Sequence, residues 1–110
     1  MDFAVSWTDG LAVVTAPVEI DITNAGLLRA ALLSVLEKPP VVIVVDMAGT
    51  DFCDSTGLNV LVRVQKQAAA QGTVLRLVIR AAAVQRMLTV TGVAELFPVY
   101  DTLAAALQPD

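Results

Sequence analysis

The chain of 110 residues contains no histidine and a single cysteine, Cys53. Without histidine, neither a Ser-His-Asp nor a Cys-His catalytic arrangement can form within the chain, because the imidazole base is missing. One cysteine permits no internal disulfide, and together with the missing histidine it excludes the usual zinc sites. These absences disfavour an enzyme and a metal site of the usual kinds, and we expect neither catalytic activity nor a cofactor.

Charged residues are also few, at 16% of the chain, and the formal net charge is −4. The basic residues are scattered, whereas nucleic acids and anionic membrane surfaces are bound by basic patches. No stretch approaches the roughly 18 consecutive apolar residues of a membrane span, and the N-terminus lacks the pattern of a signal peptide. We therefore expect a cytoplasmic protein that binds neither nucleic acid nor membranes.

Hydrophobic residues, in contrast, make up 56% of the chain, and its length suits one domain over residues 1–110. The apolar spacing predicts strands at about 3–8, 11–16, 41–46 and 74–79, with a weak edge strand at 97–100. Helices are predicted at about 24–37, 56–71 and 81–91, with a last one capped by Asp101. This order predicts an α/β fold with a mixed sheet of four to five strands and helices mainly on one face.

A short turn rich in hydroxyl and carboxylate groups joins the strand at 41–46 to the following helix. It comprises Asp51, Phe52, Cys53, Asp54, Ser55, Thr56 and Gly57. Glu19, Asp21 and Asp46 are expected at the same edge, because parallel strands end together there. The turn is compatible with a plain helix N-cap, with a metal site or with paired catalytic carboxylates.

A covalent switch is a further possibility for this turn. A phosphate on one of its hydroxyls would add about −1.5 to −2 charges at a helix N-terminus, next to Asp21, Asp46, Asp51 and Asp54. The surface potential would then change sharply even if the domain did not refold, and a partner docked on this edge would be repelled.

The turn and its surroundings resemble a known family. Asp54-Ser55-Thr56-Gly57-Leu58, preceded by Phe52 and by a strand that ends at Asp46, resembles the signature of the STAS-domain anti-sigma factor antagonists. Glu19-Ile20-Asp21 resembles the family's segment before the first helix, and residues 84–93 resemble its third helix. The likeness covers nearly the whole chain and implies a single STAS domain. Val18, where the family usually has glycine, and Asn59, in place of a small residue, depart from the pattern.

The resemblance implies a phosphorylation-regulated anti-sigma factor antagonist. In that family the dephosphorylated protein binds a serine-kinase anti-sigma factor and so releases the sigma factor. The kinase phosphorylates the motif serine and breaks the complex, and a PP2C-type phosphatase restores it. Ser55 is then the implied phosphoacceptor, with Thr56 as the fallback, and the implied partner-binding residues are Asp21, Asp54, Ser55, Thr56, Gly57, Leu58 and Asn59.

Two other functions stay open at this point. One is a STAS scaffold subunit of a transporter ATPase or of a stress-signalling complex, in which the same serine is never phosphorylated. The other is a small enzyme that uses the acidic edge, which the missing histidine and the lack of a nucleotide-binding loop disfavour.

Overall fold

The computed structural model describes residues 3–109. Its strands are β1 (Ala4–Thr8), β2 (Leu11–Thr15), β3 (Glu19–Ile20), β4 (Val42–Met47), β5 (Phe52–Cys53), β6 (Val74–Ile79) and β7 (Val99–Tyr100). Its α-helices are α1 (Ala25–Leu36), α2 (Ser55–Ala70), α3 (Ala82–Thr91) and α4 (Leu103–Ala106), and a 3₁₀ helix spans Val93–Leu96.

Five of these strands form one mixed sheet, in the order β1-β2-β4-β6-β7. Strand β1 is antiparallel to β2, and the other neighbours are parallel. The β1–β2 hairpin turns through Asp9 and Gly10, whose φ angles of 50° and 79° match the positive φ that tight two-residue hairpins require. Strand β7 lies at the far edge of the sheet, as expected from the adjacent Pro98, because proline is confined to edge strands.

Helices α1, α2 and α3 cover one face of the sheet, and the short α4 covers part of the other. Ile43 of β4 packs in the larger core cluster with Leu28 of α1 and Leu61 of α2. Val44 points the opposite way and packs with Ala106 of α4 in a smaller cluster. This arrangement confirms the predicted mixed sheet with helices mainly on one face. Within residues 3–109, no helix has the length and apolar character needed to cross a bilayer.

A second, two-stranded sheet is a feature that the sequence analysis missed. Strand β3 pairs with β5 in parallel, with Glu19 opposite Phe52 and Ile20 opposite Cys53. Residues 17–24 are therefore more than the connection that their sequence predicts. Two residues per strand are too few to show a period of two, so the pairing is visible only through contacts distant in sequence.

The predicted cap of the last helix is wrong by one residue. Thr102, and not Asp101, is the N-cap of α4, and its hydroxyl oxygen accepts a hydrogen bond from the N–H of Ala105 at 3.1 Å. Aspartate and threonine are both good N-caps, so composition alone does not choose between neighbours.

Two glycines in different backbone conformations give a test of the fold. Gly92 ends α3 with φ 80°, whereas Gly26 lies in α1 with open space around its Cα. We expect Gly92→Ala to lower the free energy of unfolding by about 1 kcal/mol, because a Cβ is strained at positive φ. We expect Gly26→Ala to raise it by roughly 0.5 kcal/mol. Urea unfolding of both variants measures this, and effects of the same sign would contradict the assigned backbone.

Candidate functional site

The turn between β5 and α2 is organised around the carboxylate of Asp54. One of its oxygens accepts hydrogen bonds from the N–H groups of Thr56 at 3.0 Å and Gly57 at 3.2 Å, and from the Thr56 hydroxyl. The backbone N–H of Ile22, in the loop after β3, also favours the charged form of this carboxylate. Asp54 is thus the N-cap of α2, and its backbone N–H donates to the carbonyl of Ile20 in β3 at 3.1 Å.

These donors favour the ionised form of Asp54 and lower its pKa. The Thr56 hydroxyl has the largest effect, and the N–H groups of Gly57, Thr56 and Ile22 act in the same direction against partial desolvation. The negative charge at this end of the helix is therefore already present and hydrogen-bonded. It also complements the positive end of the α2 dipole.

Ser55 is the first residue of α2, and its side chain is exposed. The two hydroxyls of the turn therefore have different surroundings. Thr56 is partly buried and donates its hydroxyl hydrogen to Asp54, whereas the capping hydrogen bonds do not involve Ser55. The sequence is compatible with a plain cap in this turn, and the structure assigns the cap to Asp54 rather than to the serine.

Gly57 allows α2 to approach the small sheet closely. A Cβ at this position would lie 2.7 Å from Sγ of Cys53 and 2.7 Å from Cγ2 of Ile20, which is closer than side chains tolerate. Leu58 is also buried, and its side chain belongs to the main core cluster. Neither residue therefore presents surface to a partner, whereas Asn59, one position further along α2, is exposed.

Asp21 lies beside this turn, in a loop held by its own hydrogen bonds. The Asp21 carboxylate accepts a hydrogen bond from the N–H of Thr23 at 2.9 Å. The backbone N–H of Asp21 donates a hydrogen bond to Oδ1 of Asn24 at 2.9 Å. The carbonyl of Ile20, the residue before it, accepts from the N–H of Asp54 at 3.1 Å. The β3–β5 pairing thus brings Asp21 next to the start of α2.

Asp46, in contrast, is not part of this site. Its neighbours Val45 and Met47 face the helices α1 and α2, so alternation along β4 turns Asp46 toward the opposite face of the sheet. Its carboxylate accepts a hydrogen bond from the N–H of Ala48 at 3.0 Å. Asp46 therefore lies near the C-terminal end of β4, as expected, but on the opposite face of the sheet from the helices.

The remaining acids do not form a cluster of the kind that binds metals. Across residues 3–109, no three carboxylate or cysteine side chains are arranged so that they could hold an ion. Asp51 is exposed in the segment before β5. The hypothesis of a metal site at the acidic edge thus finds no ligand set in this part of the chain.

Cys53 is buried directly beneath the turn. Burial, assisted by the nearby Asp54 charge, raises the pKa of its thiol to about 11. The thiol is therefore protonated at neutral pH and is a poor nucleophile. Its role in the structure is to fill the space against which Gly57 packs.

An apolar groove next to the turn is a feature that the sequence analysis did not identify. It has a volume of about 240 Å³ between β5 and α3, and its apolar lining includes Phe52, Val84 and Met87. Phe52 is 49% exposed, which is high for an aromatic side chain. A phenylalanine directly after Asp51, outside any long apolar pattern, was the signal available in the sequence.

The fold and this turn define a small α/β domain whose site is a surface of hydroxyl and carboxylate groups at a helix N-terminus. Residues 3–106 match the STAS domain. The chain therefore belongs to the STAS domain family.

Individual relatives agree with this assignment. The crystal structure of an anti-sigma factor antagonist from Mycobacterium paratuberculosis superposes with a TM-score of 0.88, at 31% identity over 96% of this chain and 89% of that chain. The anti-sigma-F factor antagonist RsfB of Mycobacterium tuberculosis is 28% identical over 99 residues, or 90% of this chain and 80% of RsfB. A sulfate transporter family protein from Wolinella succinogenes superposes with a TM-score of 0.80, at 23% identity over 91% of this chain and 84% of that chain. At this identity the match shows only that the two proteins share a fold.

The close packing at Gly57 leads to a stability prediction. We expect Gly57→Ala to lower the free energy of unfolding by about 1–3 kcal/mol, because the new methyl group collides with Ile20 and Cys53. Gly49→Ala is the matched control, since no atom lies within 4 Å of the added Cβ there. Urea unfolding compares the two variants, and an equal effect would show that α2 does not approach the small sheet as described.

The lowered pKa of Asp54 predicts a pH-dependent contribution to stability. The folded-state pKa lies below the ordinary value of 3.8, so the stabilisation is present above that pH and is lost as pH falls through the folded-state pKa. We therefore expect the difference in Tm between the wild type and Asp54→Asn to be largest near pH 7 and to shrink as the pH falls below 3.8. A difference that is constant with pH would contradict the assignment.

Proposed function

We propose that this chain is a phosphorylation-regulated anti-sigma factor antagonist. In its unmodified form it would bind a serine-kinase anti-sigma factor and so free the sigma factor. Its membership of the STAS domain family and the anti-sigma factor antagonists among its relatives support this role. A soluble regulator of this kind would act in the cytoplasm, and a PP2C-type phosphatase would reverse the modification.

The observation that carries the proposal is the separation of the exposed serine from the cap. A kinase must reach the acceptor hydroxyl, and Ser55 is exposed at the start of α2. The cap is made by Asp54 and Thr56, so a phosphate on Ser55 would not break a hydrogen bond that holds the helix. Thr56, the fallback acceptor, would have to give up its bond to Asp54 before it could be modified.

The electrostatic consequence of phosphorylation also follows from the cap. The N–H groups of Thr56 and Gly57 already donate to Asp54, so they are not available to a phosphate on the neighbouring residue. The added charge of about −1.5 to −2 would therefore stand beside the carboxylates of Asp54 and Asp21. We infer that the switch acts by repelling the partner rather than by refolding α2.

The same geometry divides the proposed partner-binding residues into two groups. Asp21, Asp54, Ser55, Thr56 and Asn59 are exposed or partly exposed and would contact the anti-sigma factor. Gly57 and Leu58 are buried and would instead hold the contact surface in position from below.

The proposal predicts a specific phosphorylation site. We expect a serine-kinase anti-sigma factor from the same genome, with ATP, to add one phosphate to the wild type at Ser55 and none to Ser55→Ala. Ser34→Ala, a change at another exposed serine, is the matched control and is expected to be modified like the wild type. Peptide mass spectrometry identifies the residue, and phosphate on any other residue would contradict the proposal.

Binding of the same variants tests the consequence of the charge. We expect Ser55→Ala to bind the unliganded kinase like the wild type and Ser55→Asp to bind about tenfold more weakly or worse, because it places a like charge in the contact surface. Calorimetry measures both affinities. Equal affinities, or the recovery of transporter subunits without any kinase in a pull-down, would favour the scaffold alternative.

A further inference from the structure

Strand β1 is an edge strand without the usual protection against pairing. It lies at the end of the sheet order and pairs only with β2 among the strands of residues 3–109. Natural edge strands are usually blunted by charged side chains, proline or a bulge. Ala4-Val5-Ser6-Trp7-Thr8 has no charged residue and no proline, and its five residues pair with β2 in an uninterrupted register.

The side chains of β1 are also exposed, although two of them are large and apolar. Trp7 is 54% exposed and Val5 is 40% exposed. Both are paired with buried residues of β2, Ala12 and Val14, which belong to the core beneath the helices. Val5 and Trp7 therefore lie on the helix-covered face of the sheet, at a place that the helices leave open.

The sequence of β1 is complementary to itself when two copies run antiparallel. If a two-fold axis passes through Ser6, Ala4 faces Thr8 of the second copy and Val5 faces Trp7. Each directly opposed pair shares one face of the sheet, so the two aromatic–aliphatic pairs lie on the helix side. No like charges meet anywhere along the five residues.

We propose that β1 is the dimerisation edge of this protein and that it pairs with β1 of a second copy around a two-fold axis at Ser6. The two sheets then form one continuous sheet of ten strands, and Val5 and Trp7 of both copies are covered. A closed two-fold contact of this kind uses each edge once and does not propagate into fibres.

The site at Ser55 stays accessible in such a dimer. It is built from the β3–β5 sheet and the start of α2, whereas β1 is an outer strand of the main sheet, separated from β4 by β2. Dimerisation at β1 is therefore independent of the proposed regulation at Ser55, and either could fail without the other.

Sedimentation velocity over a range of concentrations tests the proposal. We expect the wild type to shift from monomer to dimer as concentration rises, and the dimer to be favoured by added salt, because each copy has a formal net charge of −4. The chain has one tryptophan, so its fluorescence should shift to the blue over the same range. A monomer at every concentration would overturn the proposal.

Substitutions at the two-fold axis test the register. Ser6→Lys places two like charges opposite each other, and we expect this variant to be monomeric where the wild type is dimeric. Ser34→Lys, the same change at an exposed position of α1, is the matched control and should dimerise normally. Loss of the dimer in both variants, or in neither, would contradict pairing through Ser6.

A charge swap makes the test independent of any loss of stability. Ser6→Asp should also be monomeric alone, but an equimolar mixture of Ser6→Asp and Ser6→Lys should form a heterodimer, since opposite charges then face each other across the axis. Circular dichroism confirms that each variant is folded. A mixture of folded variants that stays monomeric would overturn the proposed contact, even if the wild type dimerises through another surface.

Discussion

The site depends on the hydrogen bonds made by one residue, Asp54. Its carboxylate accepts from two N–H groups of the first turn of α2, and its backbone N–H donates to the carbonyl of Ile20 in β3. The start of α2 is thereby joined to the small β3–β5 sheet at one residue. Gly57 completes the arrangement, because only a residue without a Cβ lets α2 come this close to Ile20 and Cys53. The exposed position of Ser55 is a consequence of this anchoring.

Four consecutive residues therefore have four different tasks. Asp54 caps the helix, Thr56 orients that carboxylate through its hydroxyl, and Gly57 permits the close packing. Ser55 takes part in none of these contacts, and this is why a modification there can change the surface without changing the fold. A regulated serine that also capped its helix would couple every phosphorylation to local unfolding.

Long elements of this fold could be predicted from the sequence because each has a clear period. The β-branched run at 41–46 and the apolar spacing in residues 56–71 identify β4 and α2, and the DSTGL segment identifies the family. The β3–β5 sheet could not be predicted, since two residues per strand carry no period. The side of the sheet that Asp46 faces depends on which face of β4 the helices cover, and this is set by tertiary structure.

The central claim is that Asp54 keeps the start of α2 in place whether or not Ser55 is charged. Two-dimensional NMR of the protein with phosphoserine at position 55, compared with the unmodified protein, tests it most directly. We predict that chemical-shift changes stay near residues 20–23 and 52–59 and that the amide protons of Thr56 and Gly57 remain protected from exchange. Loss of that protection, with shift changes spreading into β4 and β6, would contradict it.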